Sequence, residues 1–311
     1  MRSRLVVGVC VGVCVAVAVL AADQTALPSK DIKIGRSVVA VAFTPGHPDL
    51  EPDAVMQWID HAVQAVTLYY GQFPVQRAKL NVRIQDGRNG ISNGTTWGRK
   101  GGALTRISLG TRTTQSRLDR DWILTHELVH YGFPSVPDEH HWIEEGIATY
   151  VEPIARVQTG ELTPESIWGD MLRQMPQGQP ESGDQGLDNT HSWARTYWGG
   201  ALFCLVADVQ IRERTQNRKG LQDAFRAILK AGGSIQSDWP LKRALKIGDT
   251  ATGVNVLSQL YDQMGGKPVQ VDLPALWKRL GIQAEGKSVV FDDSAPSAAV
   301  RRAITAPHGA G

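Results

Sequence analysis

Trp122-Ile-Leu-Thr-His-Glu-Leu-Val-His-Tyr131 places His126 and His130 four positions apart, with Glu127 beside the first. Positions i and i+4 of a helix lie one turn apart on one face. Two imidazoles so placed can hold one zinc ion from the same side. Glu127 is then within reach of a water at that metal as general base. Ile123, Leu124, Leu128 and Val129 supply an apolar body for burial of the helix, so the metal is expected on a rigid element.

A catalytic zinc takes three protein ligands and keeps one open position, so a further ligand is expected downstream. A histidine six residues after His130 is ruled out, because that position is Val136. His140 and His141 do not fit that spacing either. A glutamate on a second helix is the alternative. Trp142-Ile-Glu-Glu-Gly-Ile-Ala-Thr-Tyr150 begins twelve residues after His130 and offers Glu144 and Glu145. These two point about 100° apart on a helix, so only one of them faces the metal.

These residues resemble the gluzincin metallopeptidases, which include thermolysin and the aminopeptidase N family. The latter carries its glutamate ligand in a W-x-x-E-G-x-A segment, and Trp142 to Ala148 has that form. The resemblance implies His126, His130 and Glu145 as Zn2+ ligands, with Glu144 as the alternative ligand or a hydrogen-bond partner beside the site. It also implies Glu127 as general base and peptide or protein as substrate. The spacing from His130 to Glu145 is shorter than in the two named families, nearer the small bacterial peptidase MA-like proteins. In the aminopeptidase N family a tyrosine followed closely by K-G donates to the oxyanion. Arg195-Thr-Tyr-Trp-Gly199 places Tyr197 there, with Gly199 at the lysine position. His191 and Arg195 are alternatives for that role. The G-x-M-E-N-type segment that holds a substrate's free amine has no counterpart in Gly101-Gly-Ala-Leu-Thr-Arg-Ile-Ser-Leu109, which lacks glutamate. Aminopeptidase specificity is therefore not expected. That strand remains a candidate edge for pairing with an extended peptide, with Arg106 a candidate for a substrate carboxylate. Thr149, one turn after Glu145, is a candidate hydrogen-bond partner of a ligand histidine. Asp119 and Asp121 read as structural residues offsetting the helix dipole.

Working outward, the upstream half alternates. Ser37–Phe43, Lys79–Gln85 and Ala103–Leu109 read as strands. Asp53–Tyr70 has an apolar stripe of helical spacing and stops at Gly71 and Pro74. Gly94–Gly102, with four glycines, reads as a loop. Downstream, helices are expected over 118–131, 141–157, 164–174, 192–215, 219–231, 253–264 and 273–280, with a short strand at 287–291. The expected class is α+β, with a small N-terminal sheet and helix followed by a mainly helical, zincin-like lobe and the active site between them. The division is 1–22 signal peptide, 23–115 α/β subdomain, 116–293 helical zinc lobe and 294–311 disordered tail.

Arg2 and Arg4 precede an apolar run from Leu5 to Leu20 and the small residues Ala21 and Ala22. That order reads as a secretory signal, with a retained N-terminal anchor as the alternative. The expected location is periplasmic or extracellular. Its removal takes two of the three cysteines and leaves Cys204, in an apolar run, as a buried small hydrophobe. It also brings the formal charge of +2 to neutral. A neutral chain has no basic excess for phosphate, which argues against nucleic acid as the partner. No further membrane segment is expected. A non-catalytic protein of the cell envelope on the same scaffold is the competing functional class, and zinc hydrolysis of a non-peptide bond is a third.

Overall fold

In the computed structural model, residues 27–286 and 288–306 are described, apart from the side chain of Arg99. The signal-peptide reading of 1–22 lies outside them.

Five strands form one mixed sheet: β1 Lys30–Ile34, β2 Ser37–Phe43, β3 Arg77–Gln85, β4 Ile91–Arg99 and β5 Gly102–Gly110. Their order is β1-β2-β3-β5-β4, with β2, β3 and β5 parallel and the two edge strands antiparallel. Helix α1, Pro52–Tyr70, links β2 to β3. It starts with Pro52 in the first turn, where a missing N–H costs nothing. It ends at Gly71, whose φ of 77° is the left-handed cap that glycine accepts without strain. Its buried stripe of Val55, Ile59, Ala62, Val63 and Val66 shares a core with Val39, Val41, Leu80, Val82 and Ile107 of the sheet.

The helical region follows as α2 Gln115–Asp119, α3 Ile123–Val129, α4 His141–Gln158, α5 Pro164–Gln174 and α6 Gly200–Thr215. It continues with α7 Leu221–Lys230, α8 Leu241–Thr252, α9 Val256–Met264, α10 Leu273–Leu280 and α11 Ala298–Thr305. A hairpin of β6, Ile282–Glu285, and β7, Ser288–Phe291, precedes α11. The class is α+β, as expected. One hydrophobic core nevertheless runs across position 115, because α1 packs on α3 and α4 as well as on the sheet. No helix among the described residues is long and apolar enough to cross a membrane.

Several expectations are corrected. The glycine-rich Gly94–Gly102 is not a loop, because β4 runs through it to Arg99. Strand β1 and helix α8 were not expected. The helix expected over 118–131 is broken: α2 ends at Asp119, α3 spans seven residues, and His130–Gly132 is a 3-10 turn. Residues 298–305 form α11 instead of a disordered tail, because Ala298, Val300 and Ile304 are buried and Arg301 donates to the carbonyls of Leu280 and Gly281. The edge strand beside α3 is β4, whereas Ala103–Leu109 lies inside the sheet as β5.

Candidate active site

Asp121 lies just ahead of α3, the helix that carries His126. Its carboxylate accepts from the N–H groups of Ile123 and Leu124 and from Trp58 Nε1, at 2.9–3.1 Å. Those N–H groups would otherwise lack partners at a helix start. The cap fixes α3 against α1, and α3 with the 3-10 turn that follows it turns His126 and His130 to one side. Their ring centroids are 5.0 Å apart.

Helix α4 brings the third group. Ten residues after His130 the chain has reversed, held by Ser135 N–H to Ser237 carbonyl, 2.9 Å, and Val136 N–H to Glu144 Oε1, 3.2 Å. Asp188 pins the start of α4, accepting from Trp142 Nε1 at 2.8 Å and from Tyr261 Oη at 2.9 Å, with His140 Nδ1 also 2.8 Å away. Glu145 Oε2 then lies 3.1 Å from His126 Nε2 and 3.7 Å from His130 Nε2. One donor atom from each of the three residues falls within 4.8 Å of the others. Tetrahedral zinc with bonds near 2.0–2.1 Å sets its donors about 3.3 Å apart, so two imidazoles and a carboxylate at these separations fit Zn2+. Burial pushes the His130 imidazole down to about 4, which leaves its lone pair free for a metal. Burial raises Glu145, but hydrogen bonds with His126 and His141 outweigh it and hold its carboxyl well below the usual range.

Glu144 turns away from that centre. Its Oε2 is 3.0 Å from His141 Nδ1, and His141 Nε2 is 3.4 Å from Glu145 Oε1. Glu144 therefore holds His141, and His141 holds the outer oxygen of Glu145. The two carboxylates keep the His141 imidazole charged up to about 10. His141 lies one helical turn before Glu145, a spacing visible in the sequence but not used there.

Glu127 faces the other wall. Thr96 Oγ1, on β4, is 2.6 Å from Glu127 Oε2. Thr96 also meets Thr105 Oγ1 at 2.9 Å, and Thr105 meets Tyr131 Oη at 2.7 Å. Three hydroxyls thus form a chain that ends on the Glu127 carboxylate, and each link polarises the next. Burial raises the Glu127 carboxyl, and the Thr96 hydrogen bond offsets part of the rise. A Cβ at Gly94 would collide with Glu127 and Ile123, and one at Gly98 would overlap the Ile235 carbonyl. The glycines that suggested a loop are there because helix α3 and the Ile235 turn come this close.

Tyr197 sits in one π-helical turn, Arg195–Gly199, ahead of α6. Such turns re-aim a side chain within a helix. Its ring stacks near His126, at 6.0 Å between centroids and 17°, and Trp193 also stacks with it, at 5.4 Å and 23°. Burial and the nearby Glu145 push the Tyr197 phenol up to about 12, so it keeps its proton. The alternatives fall away. Arg195 is buried, paired with Asp184 at 2.7 Å and bonded to the Gly178 carbonyl. His191 is exposed and does not line the cavity. Thr149 bonds neither histidine; its buried hydroxyl has no partner among the described residues. Arg106 opens on the opposite face of the sheet.

Gly94–Gly98, Glu127, His130, His141, Glu145 and Tyr197 surround one cavity of about 550 Å³. Sequence reasoning missed Thr96, His141 and Trp193.

The sequence matches no protein-family model and no curated protein. Solved structures do resemble it. An aminopeptidase N family protein from Idiomarina loihiensis superposes with a TM-score of 0.59 at 12% identity, covering 82% of this chain and 49% of that one. The M1 zinc metallopeptidase from Deinococcus radiodurans gives 0.52 at 15%, over 79% and 52%. A variant of it bound to a Tyr-Ser-Ala substrate gives 0.53 at 15%, over 79% and 52%. The chain thus spans about half the length of these proteins, and over that half its fold is that of the M1 zinc metallopeptidases.

Proposed function

We propose that this protein is an exported, zinc-dependent peptidase that cuts extended peptides. The observation that supports this most is the meeting, in one cavity, of a three-donor metal centre, a buried carboxylate and a sheet edge. Bound zinc would supply Lewis acidity at His126, His130 and Glu145.

The chain's own groups divide the remaining work. The Thr96 hydroxyl occupies Glu127 Oε2, which leaves Oε1, beside Gly94, to accept the proton of the attacking water. Glu127 then returns that proton to the leaving amine. The Tyr197 phenol, protonated at neutral pH, donates to the oxygen on which charge develops. The edge strand β4 would carry the substrate backbone by adding a strand. Ile91–Arg99 contains no carboxylate to hold a free amine, so cleavage within a chain is favoured over aminopeptidase action. Export is supported by Arg2, Arg4 and the Leu5–Leu20 run.

The test joins zinc analysis with turnover of a peptide library. Wild type should hold about one zinc per chain, and His130→Ala almost none. Glu127→Gln should keep the zinc and lose about 10²–10⁴-fold in kcat/KM. A wild type that takes up no zinc on reconstitution, or a Glu127→Gln enzyme that hydrolyses normally, would refute the proposal. An N-terminal residue near Asp23 in the exported protein checks the leader.

A further inference from the structure

The sheet has a second face that the peptidase reading leaves unused. Successive side chains of a strand point to opposite faces. Val39, Val41, Leu80, Val82 and Ile107 turn to the core; Lys33, Arg77, Lys79, Arg83 and Arg106 lie on the other side, all exposed. Asp31 is the single acidic residue on the five strands. None of those five cations forms an ion pair among the described residues. For a chain with a formal charge of only +2 this is a concentrated field.

Arg83 and Arg106 open into a cavity of about 590 Å³ whose wall includes Asn81, Thr95 and Trp97. Arg106 pairs in register with Asn81 on one side and Thr95 on the other, and its guanidinium lies 5.3 Å over the Trp97 ring. Thr95 and Trp97 also border the catalytic cavity. β4 is therefore a partition, with the metal centre on one side and the arginines on the other.

That position sets a rule for anything bound along the free edge. An extended chain added to β4 sends alternate side chains to opposite sides. One set enters the catalytic cavity and the other reaches toward Arg83 and Arg106. We propose that the basic face selects the substrate, and that preferred substrates are extended peptides with acidic side chains at alternate positions. This rests on the peptidase reading above. Continuity with the catalytic cavity favours a peptide over a nucleic acid, because only an extended chain in strand register serves both sides of β4 at once.

Binding is measured by fluorescence anisotropy on zinc-loaded Glu127→Gln protein, which does not consume the probe. Three strand-length peptides are compared: Glu at every second position, Gln at those positions, and the same number of Glu gathered in one run. The alternating Glu peptide should bind on the order of tenfold tighter than the Gln peptide. Gathering the charges should lose most of that gain. Raising salt from about 0.05 M to about 0.5 M should erase it. Adding Arg83→Glu and Arg106→Glu should reverse the preference, so that the Gln peptide binds the tighter of the two. The Arg83→Gln, Arg106→Gln pair guards against misfolding and should abolish the preference. Equal binding of the Glu and Gln peptides overturns the proposal. So does equal binding of the alternating and gathered peptides, or double-stranded DNA that displaces the peptide with like affinity; both would mark a general anion surface. If wild type cleaves the Gln peptide as readily as the Glu peptide, selectivity falls while the peptidase reading stands. If no peptide is bound or cleaved, both fall.

Discussion

Helix α4 and strand β4 form facing walls of the same cavity, and they are built by opposite means. The helix wall acts through its side chains: Trp142 and Tyr150 are buried in the core, Glu144 and Glu145 reach out, and His141 locks them. The strand wall acts through what its side chains omit. Gly94 and Gly98 leave room for Glu127 and the Ile235 turn, and the Thr96 hydroxyl hydrogen-bonds the Glu127 carboxylate. A helix wall tolerates variation away from its ligand face. A strand wall pressed against backbone tolerates almost none. Even α4 has one such point, because a Cβ on Gly146 would overlap the Gly200 backbone of α6.

The largest effect should come from the ligand face of α4. Glu145→Gln is expected to drop zinc from about one per chain to almost none. Glu144→Gln, which only frees His141 and the Val136 N–H, should weaken zinc by on the order of tenfold. Atomic absorption after dialysis against graded chelator separates the two. Equal loss in both would mean that the ligand assignment is shared.

Next come the close approaches. Gly146→Ala and Gly98→Ala should each destabilise the metal-free protein by about 1–3 kcal/mol, since in both the added methyl meets backbone that cannot step aside. Urea unfolding measures this. If only Gly98→Ala lost activity at full stability, β4 would be a functional wall more than a structural one.

The smallest and most informative change is Thr96→Val. The Thr96 hydrogen bond lowers the Glu127 carboxyl against the raising effect of burial. Without it the carboxyl moves up, less of the ionised base is present at acid pH, and the acid limb of kcat/KM shifts upward. At alkaline pH the base is ionised in both proteins, and a remaining loss in kcat, on the order of tenfold with KM little changed, reports positioning. Thr96→Ser should restore both. An unshifted acid limb would leave the hydroxyl chain without a role in the reaction.

How legible each wall was follows from the same contrast. The helical period over 141–157 was readable because packing on one face repeats every three or four residues. His126 and His130 were found because a spacing of four on a helix is itself a sequence pattern, and Glu145 because Trp142–Ala148 has the form of the aminopeptidase N segment. Gly94–Gly102 was read as a loop because a stretch with four glycines resembles one, and nothing local says which backbone will press against its β4 part. The broken helix around Arg120 and the π turn at Tyr197 were likewise hidden, since both conserve the helical period closely enough to pass as one continuous helix. The buried Ala298, Val300 and Ile304 sit in an Ala- and Arg-rich segment whose composition resembles a tail.

By itself the amino-acid sequence determined the α+β order and the grouping of His126, Glu127 and His130, because those rest on short-range periodicity; it pointed to Glu145 only through the resemblance of Trp142–Ala148 to the aminopeptidase N segment, with Glu144 left open beside it. Only the tertiary structure decided that β4 is the edge, that Thr96 and His141 brace the two carboxylates, and that the cations of separate strands share one face. Those are meetings of residues far apart in the chain, set by strand register and by how closely backbones can approach, and neither is written in local sequence.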